Sequence, residues 1–130
     1  MFAFLYPVGY NKYVNIVFYK QPKGRSPVHN FIKKLQPNDR LRIWACLKNV
    51  EELGFDCPRV QFRQIRGKLW EIKIKAVHAG YRFFYVTIKH SLTILLHAYK
   101  KQSQKAPKKE IEIAEKRMLE VIENEELYNT

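Results

Sequence analysis

Lys73, Lys75, Arg82, His97, Tyr99 and Lys101 are the side chains of this sequence best suited to hold and cut a phosphodiester. They fall at alternate positions of three stretches that read as β-strands: 69–75, 80–89 and 92–99, the last running on to Lys101. Residues two apart share a strand face. In the first stretch Trp70, Ile72 and Ile74 share one side, and Glu71, Lys73 and Lys75 the other. In the second, Tyr81, Phe83 and Tyr85 oppose Arg82, Phe84 and Val86. In the third, Ile94, Leu96 and Ala98 oppose Leu95, His97, Tyr99 and Lys101. If the strands are neighbours without a bulge, cations, an imidazole and a phenol meet on one face; a single extra residue would reverse the facing.

RNA carries its own nucleophile, the 2′-OH, so its cleavage needs no metal. It needs a base for that hydroxyl, an acid for the 5′-oxygen and positive charge for the phosphorane. Arg82 suits the phosphate, because its fork binds two oxygens and stays protonated. Lys73 and Lys101 add charge stabilisation. His97 titrates nearest neutrality and is the natural acid or base. Lys75 serves as a base only if neighbouring cations lower its pKa. Tyr99 stacks on a base or polarises the leaving group, and Glu71 orients a lysine or acts as base. Each residue also has a plainer reading. His97 is then structural, Arg82 pairs with Glu71, the lysines form a solvated face and Trp70 is core. His29, His78 and His90 read as surface or loop residues.

The elements that must position these groups follow from pattern. Asn15 to Lys20 is β-branched and aromatic and reads as a strand. Ser26-Pro27 then starts a short helix, with Ser26 as cap and Val28, Phe31, Ile32 and Leu35 on one stripe. Pro37-Asn38-Asp39 starts a second helix, capped by Asn38 or Asp39 and ended by Gly54, with Leu41, Trp44, Ala45, Leu47 and Val50 on its apolar side. From Gln61 the pattern turns to period two, with strands at 61–65, 69–75, 80–89 and 92–99, and a hairpin turn at Lys89-His90-Ser91. Short links favour antiparallel neighbours. A closing helix follows Pro107, with Ile111, Ala114, Met118, Val121 and Ile122 as its stripe. The expected fold is α+β: an antiparallel sheet of four to five strands, an N-terminal helical hairpin and a C-terminal helix, with helices packed on one sheet face.

The chain has 130 residues and suits one domain spanning 1–130. Residues 1–12 read as a disordered leader and 124–130 as a disordered tail. An apolar fraction of 46% supports a real core. The net charge of +12 predicts attraction to polyanions. That charge is localised: between Pro58 and Lys109 the only acid is Glu71, while the segment from Glu110 onward is mostly acidic. Lys68, Arg66, Lys100, Lys105 and Lys108 are therefore candidate RNA contacts, although the 100–109 run also reads as a solvated linker. Cys46 and Cys57 make no disulfide framework and no metal-ligand spacing, which favours a reduced compartment. No metal or cofactor is expected. No signal peptide is legible at the N-terminus, and no apolar run reaches the ~18 residues of a membrane span.

Three segments carry a resemblance to a known family: Gly67-Lys68-Leu69-Trp70-Glu71-Ile72-Lys73, Gly80-Tyr81-Arg82-Phe83-Phe84-Tyr85 and Leu96-His97-Ala98-Tyr99-Lys100-Lys101. With the order of elements and the 100–114 segment followed by Arg117, they resemble the RelE/ParE toxin superfamily, in its HigB-like, phage-derived branch. The resemblance covers residues 14–123. It implies the toxin of a type II toxin–antitoxin system: a ribosome-dependent, metal-independent mRNA endonuclease of the bacterial cytoplasm that arrests translation. It implies as partners the ribosome, mRNA and a cognate antitoxin protein of helix-turn-helix type, and no membrane. Position by position, Lys73 and Lys75 match the family's basic pair, Arg82 its catalytic arginine and Lys101 a basic residue at the end of the last strand. The sequence departs from the RelE branch at the C-terminal helix, where Ile111 and Ile113 stand near the place of a catalytic tyrosine; Tyr99 or His97 would have to serve. The alternatives are a ParE-like gyrase inhibitor without nuclease activity and a non-catalytic RNA-binding module.

Overall fold

Proline opens both N-terminal helices, where its missing N–H costs nothing and its fixed φ already suits a helix. The computed structural model describes residues 14–89 and 92–128. After strand β1 (Asn15–Phe18) come helices α1 (Pro27–Lys33) and α2 (Pro37–Leu53), and a 3-10 turn at Gly54–Asp56. Strands β2 (Gln61–Arg66), β3 (Leu69–Lys75), β4 (Gly80–Ile88) and β5 (Leu92–Lys100) follow, then helix α3 (Lys108–Glu123) and a 3-10 turn at Glu125–Tyr128. Ser26 takes the cap position of α1, but its hydroxyl makes no cap bond. The cap of α2 is Gln36, not Asn38 or Asp39, because Pro37 already occupies the first helical turn. Gly54 ends α2 at φ 72°, a backbone that glycine adopts without strain.

The fold is α+β, as expected. Its sheet has the order β1-β5-β4-β3-β2. Strands β2 to β5 form an antiparallel meander. Strand β1 lies parallel beside β5, so the sheet is mixed.

The expectation of helices on one face needs correction. The α1–α2 hairpin covers one face, where Val28, Ile32, Ile43, Leu47 and Val50 pack on Ile72, Ile74, Phe83 and Leu95. Helix α3 covers part of the other, where Ala114 and Val121 pack with Leu69, Phe84, Val86, Ile94 and Leu96. The physical reason is that this second face mixes its cations with an apolar block too large to leave wet. The facing of β5 also changes. Phe84 pairs with His97 but Tyr85 with Leu95, so Leu96 is the extra residue of a β-bulge. Ile94 and Leu96 therefore share the α3 side with Tyr99, while Leu95 joins Ala98 on the hairpin side.

Two further expectations shift. Trp70 is not core but 36% exposed, and Leu41 faces solvent while Ile43 takes its place in the α2 stripe. Where the sequence reads as a tail, the Glu125–Tyr128 turn docks against the body: the Tyr128 hydroxyl accepts the Lys20 N–H at 3.1 Å. The expected leader at 1–12 lies outside the described residues, as do two of the hairpin-turn residues, His90 and Ser91. Among the described residues no helix is long and apolar enough to cross a membrane.

Candidate active site

Across four strands one register row reads Gln61, Lys73, Arg82, Tyr99. Neighbouring strands lie about 4.8 Å apart, so the row brings these groups within reach of one another. In the next row Lys75 stands opposite Gly80, and the Gly80 carbonyl accepts the Lys101 N–H at 2.8 Å. The Lys101 stem lies across β4 at Gly80, where a Cβ would meet its Cδ at an ordinary contact distance of 3.7 Å, so only a side chain larger than alanine would push it aside. Lys73, Lys75 and Lys101 thus line one cleft of about 390 Å³, with Arg59, Gln61 and Tyr81 completing its wall.

Lys73 is the hub of this cluster. Its side chain is half-buried, and its pKa falls below the ordinary lysine value. Burial is the main cause, and the charges of Arg63, Arg82 and Lys101 act in the same sense. The nearby Glu71 carboxylate opposes them without winning. The expectation of a depressed lysine falls on Lys75; the half-buried, cation-ringed one is Lys73. Lys75 is exposed on the cleft rim.

Arg82 requires the largest correction. It is fully buried rather than presenting an open fork. One terminal nitrogen donates to the Tyr99 hydroxyl at 3.0 Å; the other donates to the Ser103 carbonyl at 3.0 Å and to the Gln104 carbonyl. Its Nε lies 3.9 Å from Glu71, which is equally buried. The plainer reading of an Arg82–Glu71 pair is the one this geometry supports. Arg63, half-exposed on β2, reaches the same carboxylate at 3.0 Å. These are ion-pair distances without aligned hydrogen bonds, since both Glu71 oxygens and Arg82 Nε lack a bonding partner of good geometry. Arg82 therefore ties the exposed 102–105 connection down over the sheet and supplies positive potential from below the cleft.

His97 and Tyr99 share the Arg82 face but not the cleft. The His97 Nε2 lies 2.6 Å from the Glu110 carboxylate, and its Nδ1 lies 3.4 Å from Arg117, both on α3. Burial lowers its pKa most; the Glu110 bond pulls the other way, and Arg117 lowers it further. Arg117 also donates to the Leu96 carbonyl at 3.0 Å and stacks its guanidinium 5.2 Å from the Tyr19 ring. His97 is thus clamped beneath α3, beside the rings of Phe84 and Tyr99, which lie near-parallel to it. The Tyr99 phenol is buried, and burial raises its pKa although the bond from Arg82 lowers it. The His97 side chain keeps 15% of its surface exposed and Tyr99 is buried, and both are held by these partners rather than open to the lysine cleft.

The other candidate RNA contacts are dispersed. Arg66 is exposed, but one of its terminal nitrogens donates to both carboxylate oxygens of Glu115 on α3 at 3.1 Å. Lys68 tops the β2–β3 turn, Lys100 ends β5 opposite Tyr81, Lys105 lies in the connection after it, and Lys108 opens α3. Sequence reasoning missed Arg59, Gln61, Arg63 and Asp39. Asp39 was read as a cap. Instead it is buried and accepts the Tyr81 hydroxyl at 2.6 Å and the His78 N–H at 2.9 Å. Burial pushes its pKa up, but those two bonds outweigh it and the net shift is downward. The Tyr81 phenol is pushed up to about 12, by burial first and then by its bond to Asp39. This pair pins the β3–β4 turn that walls the cleft. A buried acid at a helix start, with no cap role open to it, was the available signal.

No curated protein matches the chain. Residues 30–119 match the family described as Phage derived protein Gp49-like (DUF891), a span that takes in α2, all four strands of the meander and most of α3. The chain belongs to this Gp49-like family of phage-derived proteins.

Proposed function

We propose that this protein is the toxin of a type II toxin–antitoxin system and an mRNA endonuclease that works on the translating ribosome. Membership of the Gp49-like family and the α+β fold support a toxin-like module. The observation that carries the nuclease reading is Lys73: a partly covered lysine of depressed pKa, with Arg63, Arg82 and Lys101 around it, in the wall of a cleft. A solvated basic face would have no reason to bury one lysine among the others.

In the proposed reaction the neutral Lys73 amine takes the proton of the 2′-OH. The 2′-oxygen forms a bond to phosphorus, and the bond from phosphorus to the 5′-oxygen breaks. The Lys101 ammonium gives its proton to that departing oxygen. The products are a 2′,3′-cyclic phosphate and a 5′-hydroxyl, with no oxidant, metal or cofactor in the balance. Lys75, Arg59 and Arg63 stabilise the added phosphate charge as fixed cations aimed at where it develops. Arg82, Glu71, His97 and Tyr99 act as positioning residues behind the cleft. The partners are the ribosome, mRNA and an antitoxin protein of helix-turn-helix type that neutralises the basic surface; the compartment is the bacterial cytoplasm.

The test is induced expression with mapping of transcript ends. Cleaved messages with wild type, and intact ones with a folded Lys73→Ala variant, are expected. Growth arrest with intact messages and topoisomerase-linked DNA breaks would move the protein to the gyrase-inhibitor reading.

A further inference from the structure

A second cleft, of about 500 Å³, lies at the other end of β3 on the hairpin side of the sheet. Its walls are rings: Phe55, Phe62, Trp70 and Tyr85, with Lys68 at the rim. Phe55 stacks on Tyr85 at 5.8 Å and 12°, and meets Phe62 edge-on at 5.4 Å. Phe55 and Trp70 nonetheless remain 41% and 36% exposed, the two large aromatics left most open among the described residues. A core would have closed over them. Gly67, at φ 55°, makes the tight β2–β3 turn that sets Lys68 beside the rings.

We propose that this cleft seats one or two unpaired bases of single-stranded RNA, with Trp70 as the stacking platform. Two observations choose this occupant. The lining contains no carboxylate and one lysine, and the surrounding 58–109 region has Glu71 as its only acid, fully buried. An anionic partner with flat apolar rings complements that surface, because base stacking on aromatics beside a cationic track is how single strands are held. The second observation is continuity. Gln61 lines the lysine cleft and its neighbour Phe62, on the opposite face of β2, lines the aromatic one, so the two sites are joined around the β2 edge of the sheet. Arg63, on the same strand, is half-exposed along the path. A strand cut at Lys73 would pass round this edge to bring its flanking nucleotides to Trp70. The inference rests on the RNA reading and extends it to the grip on flanking bases.

The test is titration of the full-length protein with a short, cleavage-resistant 2′-O-methyl RNA, read by tryptophan fluorescence. Trp44 packs against Phe18 and His29 away from this cleft and supplies a constant background. Quenching by single strands is expected, with none by duplex RNA of equal charge. Trp70→Ala should weaken binding roughly 10- to 100-fold, the loss of about one stacked base. Trp70→Phe should restore most of it, and neither change should alter the salt slope. Lys73→Ala and Lys101→Ala should reduce that slope instead. If Trp70→Ala leaves RNA affinity unchanged while the lysine variants lower it, the stacking site falls and the cleavage site stands. If Trp70→Ala weakens only the antitoxin complex, the cleft is a protein-docking face and the inference is overturned. If transcripts remain intact and no variant affects RNA binding, the nuclease reading itself has failed.

Discussion

Replacing Arg82 by alanine should unfold part of the site before it changes any chemistry. The guanidinium is fully buried, bonded to Tyr99 and to the carbonyls of Ser103 and Gln104, and faces an equally buried Glu71. Removing one member of a buried ion pair leaves an uncompensated charge, at a cost of about 3–5 kcal/mol. Arg63 still reaches Glu71 at 3.0 Å from a half-exposed position, which argues for the lower end, about 3 kcal/mol. Ser103 and Gln104 are exposed, so water can replace the donor their carbonyls lose. Against a typical domain stability of about 5–15 kcal/mol this is a large fraction. It corresponds to a fall in Tm of roughly 10–15 °C for a chain of this size. Thermal unfolding followed by circular dichroism measures it, and hydrogen exchange should show the 101–106 connection losing protection. The companion variant removes both charges: Arg82→Met with Glu71→Leu should recover most of the lost stability, since an apolar pair of similar volume replaces a buried ion pair at little cost. The reasoning is refuted if Arg82→Ala melts within about 3 °C of wild type, a change of no more than about 1 kcal/mol. Arg82 would then be a dispensable strut or an open phosphate fork.

Other consequences follow from the same geometry. Because the base is the neutral form of Lys73 and its pKa is depressed, cleavage should rise with pH below the ordinary lysine value of about 10.4, on the acid limb of a bell whose other limb reports the protonated acid; Lys73→Arg should abolish the rise, and an unchanged profile would exclude Lys73 as base. The His97 pKa is lowered in the fold, so the unfolded chain binds the proton more readily and stability should fall as pH drops through and below about 6.5; an NMR titration midpoint for His97 above that value would contradict the burial argument. Gly80→Ala should be tolerated, since the added carbon meets Lys101 at ordinary contact distance, whereas Gly80→Leu should displace the Lys101 stem and weaken RNA binding in a folded protein; equal binding by both variants would show that Lys101 does not use that path. Asp39→Ala should release the turn it pins, read as faster exchange of the His78 amide, which now donates to Asp39; unchanged exchange would remove Asp39 from the positioning of the cleft.

Period-two patterning in 61–101 was enough to read the meander, and the proline signals were enough to read both N-terminal helices. The closing helix came from its stripe, of which Ala114 and Val121 are buried as read. What the pattern could not reveal was the bulge at Leu96, because one inserted residue leaves no mark on composition yet reverses the facing beyond it. It also could not reveal that α3 lies over the same face as the cations, since Leu69, Phe84 and Val86 read as isolated apolar residues until their strands are adjacent. Lys73, Lys75 and Lys101 were legible as a convergent set because register follows from alternation. The burial of Arg82 and His97 was not, because it depends on where the 101–107 connection and α3 settle. Whether an arginine binds phosphate or backbone is decided by its cover, and cover is a tertiary property.

The most direct measurement is chemical identification of the RNA ends. Purified protein is incubated with programmed ribosomes and message in the presence of a chelator, and the new termini are assigned. The account predicts a 5′-hydroxyl and a 2′,3′-cyclic phosphate (or the 3′-phosphate from its opening), all lost in a folded Lys73→Ala variant. New 5′-phosphate ends, or the same ends at an undiminished rate from Lys73→Ala, would contradict it.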